Sequence, residues 1–261
     1  KEGINNIIIG GSNVFYSISA EFLSNEMNDS WYNLAISAEG FRDQNYLDLL
    51  KEDLEHQKRL NVKKIIYSSI YFYRNGEMDL RNNSISSIDG SKKYSIKPRF
   101  SGLTYLQRFL LTGKVIIDYP LQNNSGDIIF TPGLCKDELI SQRFEIEDFN
   151  KIYTNILYKA ESLNKIFPNA KIFIVFPKDY IEKDSLNGYE EQISKLRSYF
   201  QSKYMTGNKN ELFSGDRILF QTPYKRIELC DSPSHANSTG RDIRSKELLK
   251  WLNIYENKHI D

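Results

Sequence analysis

Short unbroken apolar runs alternate along the chain with stretches in which apolar positions recur every three or four residues, and that alternation sets the expected fold. Residues Asn6–Gly10 (NIIIG) form an apolar run that stops at two glycines, the pattern of a parallel strand buried on both faces and entering a tight turn. A helix is expected after it over residues 13–23, and residues 32–37 (YNLAIS) read as a second strand. Leu47, Leu50, Leu54 and Leu60 then recur at mostly helical spacing on a charged background, an amphipathic helix. Residues 63–69 (KKIIYSS) are a third strand, with a possible extension to Tyr73.

Downstream, Phe149, Ile152, Tyr153, Ile156, Ala160 and Leu163 mark a long helix ending near Pro168. Residues 171–176 (KIFIVF) are a fourth strand stopped by Pro177, residues 189–204 a helix, and residues 217–221 (RILFQ) a fifth strand. Ile243, Leu248, Leu249 and Leu252 mark a terminal helix. Five parallel strands need crossover helices, which cover both sheet faces, so the expected class is α/β, a three-layer α/β/α sandwich in one domain spanning residues 1–261. Ligands of such sheets bind at the carboxyl edge of the strands. Residues 74–144 break the alternation. They are rich in Ser, Asn, Asp and Gly and read as an insertion beside that edge.

Composition narrows the function classes. Thirty-five Lys and Arg against 34 Asp and Glu leave a formal charge of +1, without the basic excess of a dedicated nucleic-acid binder. No apolar run approaches the roughly 18 to 20 residues of a membrane-spanning helix. The sequence opens at Lys1 without a signal-peptide pattern, and an export segment or anchor could precede it, which leaves cytoplasm and cell envelope both open as locations. Cys135 and Cys230 are too few for a disulfide framework or a metal cluster and are expected as two unpaired thiols.

Two segments carry candidate chemistry. Gly10-Gly11-Ser12-Asn13 follows the first strand, where two glycines allow a sharp turn that presents the Ser12 hydroxyl at the strand edge. The turn has neither the spaced glycines nor the lysine of a nucleotide-binding loop. At the other end, Asp231-Ser232-Pro233-Ser234-His235 lies between the fifth strand and the last helix. A histidine with a carboxylate four residues before it is the pair that a general base and its orienting group require. The alternative is a capping loop, with Asp231 or Ser238 capping the helix and His235 incidental. His56 and His259 read as solvent-exposed.

Taken together, residues 7–15 (IIIGGSNVF), 33–40 (NLAISAEG) and 231–240 (DSPSHANSTG) resemble the SGNH/GDSL hydrolase family, with its flavodoxin-like five-stranded sheet. The end block His-x-Asn-x-x-Gly, followed by Arg241 and Arg244, is similar to that of members acting on bacterial cell-surface polymers. The resemblance implies Ser12 as nucleophile, His235 as base and Asp231 as its orienter, with no cofactor and no metal. It also implies an oxyanion hole from the backbone N–H of Ser12 and of Ala38 or Gly40. The family's third-block Asn is absent, since Ser69-Ile70-Tyr71 stands there; Tyr71 or Asn13 is the candidate replacement.

The implied activity is a serine esterase or O-acyltransferase acting on an O-acyl group, acetyl first, of a bacterial surface polysaccharide. Its partners are then an acylated glycan, or an acyl donor and a glycan acceptor. Two further readings stay open: a degenerate member that binds a glycan or protein without turnover, and a nucleotide-binding α/β module.

Overall fold

The structure is a computed structural model that describes residues 4–35, 62–69, 72, 122–130, 134–135, 146, 148–206, 215–232 and 234–258. Five strands, β1 (Asn6–Gly10), β2 (Trp31–Asn33), β3 (Lys64–Ser68), β4 (Lys171–Val175) and β5 (Ile218–Leu219), form one sheet in the order β2-β1-β3-β4-β5. Every pairing is parallel. The helices are α1 (Ser12–Phe15), α2 (Ala20–Met27), α3 (Phe149–Ile166), α4 (Leu186–Thr206) and α5 (Ser238–Lys258).

Strand side chains alternate between two cores. Ile7, Ile9, Ile65, Tyr67, Ile172 and Ile174 pack with Ile152, Ile156, Ala160 and Leu163 of α3 and with Ile193, Leu196 and Phe200 of α4. Ile8, Ile66, Phe173 and Val175 turn the other way, onto Val14 of α1, Leu23 of α2 and Leu248 and Leu252 of α5. Apolar residues on both faces of each central strand are what a sheet covered by helices on two sides requires, and the layers are those expected. The strand order reverses between β1 and β3, where Gly10 is in register with Ser68. Such a switch point opens a crevice at the carboxyl ends of the strands.

Several boundaries differ from expectation. The helix expected over residues 13–23 is two helices, because Ser19 takes an extended conformation and caps α2, its hydroxyl accepting from Phe22 N at 3.0 Å. β2 starts at Trp31 and is paired through Asn33, while residues 36 and 37 of the expected strand lie outside the described residues. β5 is paired for two residues, since Gly215–Arg217 before it form a 3-10 turn. α4 begins at Leu186, directly after a 3-10 turn over Lys183–Ser185. The helix expected around Leu47–Leu60 lies outside the described residues, as does most of the 74–144 insertion.

Candidate active site

The turn that carries Ser12 is held by close packing. A Cβ on Gly10 would lie 2.2 Å from Ser68 O and 2.4 Å from Val14 Cγ2, so only glycine lets α1 fold back over the end of β1 beside β3. Gly11 then caps α1, its carbonyl accepting from Val14 N at 2.9 Å. Ser12 is thereby the first residue of α1, at the switch point.

The loop bearing Asp231 and His235 is closed at its base by an antiparallel bridge between Leu229 and Ala236 and by Cys230 N donating to His235 O at 2.8 Å. Asp231, Ser232, Ser234 and His235 lie at the tip, and His235 N donates to Ser232 O. Asn237 fixes the loop to the start of α5. Its Nδ2 donates to Ile227 O (2.7 Å) and Leu229 O (3.1 Å), and its Oδ1 accepts from Gly240 N at 3.0 Å. A Cβ on Gly240 would meet Glu228 O at 2.2 Å. The Asn and Gly of the His-x-Asn-x-x-Gly block thus have structural work, and Asn237, rather than Asp231 or Ser238, supplies the helix cap.

The structure brings Ser12, Asp231 and His235 together. His235 Nδ1 lies 2.6 Å from Asp231 Oδ1, and His235 Nε2 lies 2.9 Å from Ser12 Oγ. A carboxylate only accepts, so Asp231 places the imidazole proton on Nδ1 and leaves Nε2 to accept from the Ser12 hydroxyl. The His235 and Asp231 side chains are 19% and 34% exposed, so the pair is open to a solute.

Two neighbours of this trio are Tyr16, which the motif reading does not name, and Arg244, which it names without a role. The Tyr16 ring, one turn after Ser12, stacks on the His235 imidazole with centroids 4.3 Å apart and planes 4° apart. Burial, with the Asp231 charge beside it, pushes the Tyr16 hydroxyl up to about 12, so it is neutral in ordinary buffers. Arg244 of α5 is fully buried. It donates to Gln221 Oε1 (2.8 Å), Ser17 Oγ (2.7 Å), Asn13 O (3.3 Å) and Ser68 Oγ (3.3 Å), tying α5 to the Ser12 turn and to the end of β3. Aromatic residues within Phe15-Tyr16 and the Arg241, Arg244 pair are visible in sequence, but which faces they present is not.

Of the oxyanion candidates, Ala38, Gly40 and Tyr71 lie outside the described residues. Asn13 is fully buried, and its amide nitrogen and oxygen have no hydrogen-bond partner among the described residues. His56 and His259 also lie outside them. Among the described residues no cluster of three His, Cys, Asp or Glu would hold a metal, and no helix is long and apolar enough to cross a membrane.

Part of the insertion reaches this region. Phe130 meets Tyr16 edge-on with centroids 6.4 Å apart, and the Arg241 guanidinium lies 4.7 Å above the Phe130 ring. Asp127 accepts from Ser19 Oγ (2.8 Å), Ala20 N (2.8 Å), Glu21 N (2.9 Å) and Asn33 Nδ2 (3.3 Å). Burial nevertheless raises its pKa above the ordinary carboxylate range. The expectation of two unpaired thiols is overturned: Cys135 and Cys230 form a disulfide, with Cα atoms 4.4 Å apart. The 95-residue separation that hides the pairing in sequence is spanned because the insertion returns to the loop beside Asp231.

No protein-family model matches the sequence, and no curated protein matches it by sequence. Solved structures similar to this chain are carbohydrate esterases. One is a family two carbohydrate esterase from Clostridium thermocellum in complex with cellohexaose, at 10% identity over 98% of this chain and 66% of that one, with a TM-score of 0.47. Another is an acetyl xylan esterase from the rumen bacterium Butyrivibrio proteoclasticus, at 14% identity over 98% of this chain and 65% of that one, with a TM-score of 0.42. The chain spans just under two thirds of the length of these structures.

Proposed function

We propose that this chain is a serine esterase or O-acyltransferase of the SGNH/GDSL type, acting on an O-acyl group of a carbohydrate. The observation that carries the reading is the relay Ser12 Oγ, His235 Nε2, His235 Nδ1, Asp231 Oδ1, with links of 2.9 and 2.6 Å between residues 223 and 4 positions apart. The strand order and the placing of Ser12 after β1 support it, because they match what the family resemblance implies.

In this reading Ser12 Oγ attacks the ester carbonyl carbon while its proton passes to His235 Nε2, and Asp231 stabilises the imidazolium. Collapse of the tetrahedral intermediate breaks the carbonyl-to-alkoxy bond, and His235 returns the proton to the departing alcohol. Water then resolves the acyl-Ser12 ester in an esterase, and a sugar hydroxyl does so in a transferase. The oxyanion donors proposed are the Ser12 N–H, that of Ala38 or Gly40, and the amide of Asn13 or the hydroxyl of Tyr71. One donor of this kind contributes on the order of 100- to 1,000-fold in rate.

The acyl group proposed is acetyl and the carrier a bacterial surface polysaccharide, which the end block 235–240 supports through its resemblance to members acting on such polymers. The insertion, whose Phe130 packs on Tyr16, is proposed as the wall that selects the glycan. The test is hydrolysis of p-nitrophenyl acetate with covalent labelling by a fluorophosphonate. Labelling maps to Ser12, and Ser12→Ala abolishes both labelling and turnover without loss of fold. Acetyl release from an acetylated surface glycan, or acetyl uptake by a deacetylated one, separates the two reaction types. A folded protein inert towards every ester and label fits instead the non-catalytic glycan or protein binder, the reading favoured by Ser69-Ile70-Tyr71 where the family has an Asn.

A further inference from the structure

Both nitrogens of the His235 ring are engaged, Nδ1 by Asp231 and Nε2 by Ser12, and these in-plane contacts oppose rotation about the Cβ–Cγ bond only while both are made. One face of the ring is covered. The Tyr16 ring lies parallel to it with centroids 4.3 Å apart, a close stack just below the roughly 4.5 Å at which the usual range of aromatic pairs begins. Tyr16 also makes T-shaped contacts with Phe15, centroids 5.9 Å apart, and with Phe130 at 6.4 Å. Phe130 in turn carries the Arg241 guanidinium on its face, and Arg241 Nη1 donates to Ile128 O at 2.7 Å. A chain of ring contacts thus runs from α5 through Phe130 and Tyr16 to the imidazole.

We infer that Tyr16 is the positioning residue of this site, its π face holding the His235 imidazole in the orientation that joins Ser12 to Asp231. The inference rests on the esterase reading for its kinetic consequence and on the stacking geometry for the rest. The ring acts in two ways. It blocks the rotation that would carry Nε2 away from Ser12 Oγ. It also presents an electron-rich face to the imidazolium formed when Ser12 gives up its proton, a cation–π contact absent from the resting state. Among the described residues, the charged and titratable groups around the imidazole are Asp231 in its own loop, the neutral Tyr16 hydroxyl, and Arg241 of α5 behind Phe130. The π face, not the hydroxyl, is the working part. The raised pKa of the Tyr16 hydroxyl keeps it neutral and out of proton transfer.

The test compares wild type with Tyr16→Leu, which keeps apolar bulk without a π face, and Tyr16→Phe, which keeps the face without the hydroxyl. On p-nitrophenyl acetate, Tyr16→Leu lowers kcat by about tenfold with little change in KM, and Tyr16→Phe restores most of that loss. Phe130→Leu, which loosens the brace and leaves Tyr16 in place, gives a smaller loss in the same parameter and stands in if Tyr16→Leu does not fold. The second readout needs no turnover. The downfield proton resonance of His235 Nδ1–H, sharp when the ring is fixed against Asp231, persists in Tyr16→Phe and broadens away in Tyr16→Leu.

Wild-type kcat and an intact resonance in Tyr16→Leu overturn the inference, and so does equal impairment of the Leu and Phe variants. Wild type that is inert to every ester overturns the esterase reading instead, and the resonance comparison then decides the positioning role alone.

Discussion

Cys230, the residue immediately before Asp231, is bonded to Cys135 of the insertion, and its N–H donates to His235 O. The disulfide therefore closes on the loop that holds both the acid and the imidazole. Breaking it frees the insertion from that loop and restores the entropy of a closed stretch of 95 positions to the unfolded chain. Cys135→Ser, or reduction of the wild type, is expected to cost about 4 kcal/mol, seen as a fall in Tm of about 10 °C. Activity at a temperature where the reduced protein is still folded falls as well, because the Asp231–His235 tip loses its tether. Equal Tm values for oxidised and reduced protein would show the bond to be incidental.

Asp231 and His235 are separated by three residues in sequence yet joined at 2.6 Å, because the Leu229–Ala236 bridge folds the loop back on itself. With that carboxylate setting the tautomer, Asp231→Asn offers an N–H to Nδ1 as readily as an acceptor, and the imidazole proton moves to the wrong nitrogen. Turnover is expected to fall on the order of 10,000-fold with KM little changed and the fold intact. A silent Asp231→Asn variant would mean that another group orients the ring.

Much of this arrangement is legible in the sequence, and the part that is not has a common cause. The strands are readable because Ile7, Ile8 and Ile9 are buried on alternate faces, so each central strand is an unbroken apolar run. The trio is readable because Ser12 follows a Gly-Gly turn and Asp231 and His235 share one short loop. The break between α1 and α2 is not, since the Ser19 cap depends on a carboxylate 108 positions away. The same holds for the Cys135–Cys230 bond and for the stacking of Tyr16 on His235. Each pairs a residue near one end of the chain or in the insertion with a partner that no local pattern marks.

Gly10 and Gly188 make opposite predictions. At Gly10 an added methyl meets Ser68 O and Val14 Cγ2 well inside van der Waals contact, so Gly10→Ala must push α1 away from β3 and displace Ser12. Such overpacking costs about 3 kcal/mol and should remove most turnover along with it. Gly188, near the start of α4, has nothing within 4 Å of an added Cβ. Gly188→Ala is expected to raise stability by about 0.5 to 1 kcal/mol and leave kcat unchanged. Urea denaturation of the two variants beside wild type checks both signs at once.

Asp127 gives a prediction in pH. Burial raises its native pKa above the ordinary 3.8, against the hydrogen bonds from Glu21 N, Ala20 N, Ser19 and Asn33 that favour the charged form. A group with a raised native pKa binds its proton more tightly folded than unfolded. Its stabilising contribution is therefore complete below the unfolded pKa and is lost as pH rises through the native one. Within that window the slope is at most about 1.4 kcal/mol per pH unit. Asp127→Asn has no proton to bind there, so the unfolding free energy of wild type minus that of the variant should decline as pH rises from acid to neutral. The measurement is a set of urea transitions across that range. A difference that grows with pH would mean that the four donors outweigh burial, and that Asp127 works as a charged clamp between the insertion, α2 and β2 rather than as a buried acid.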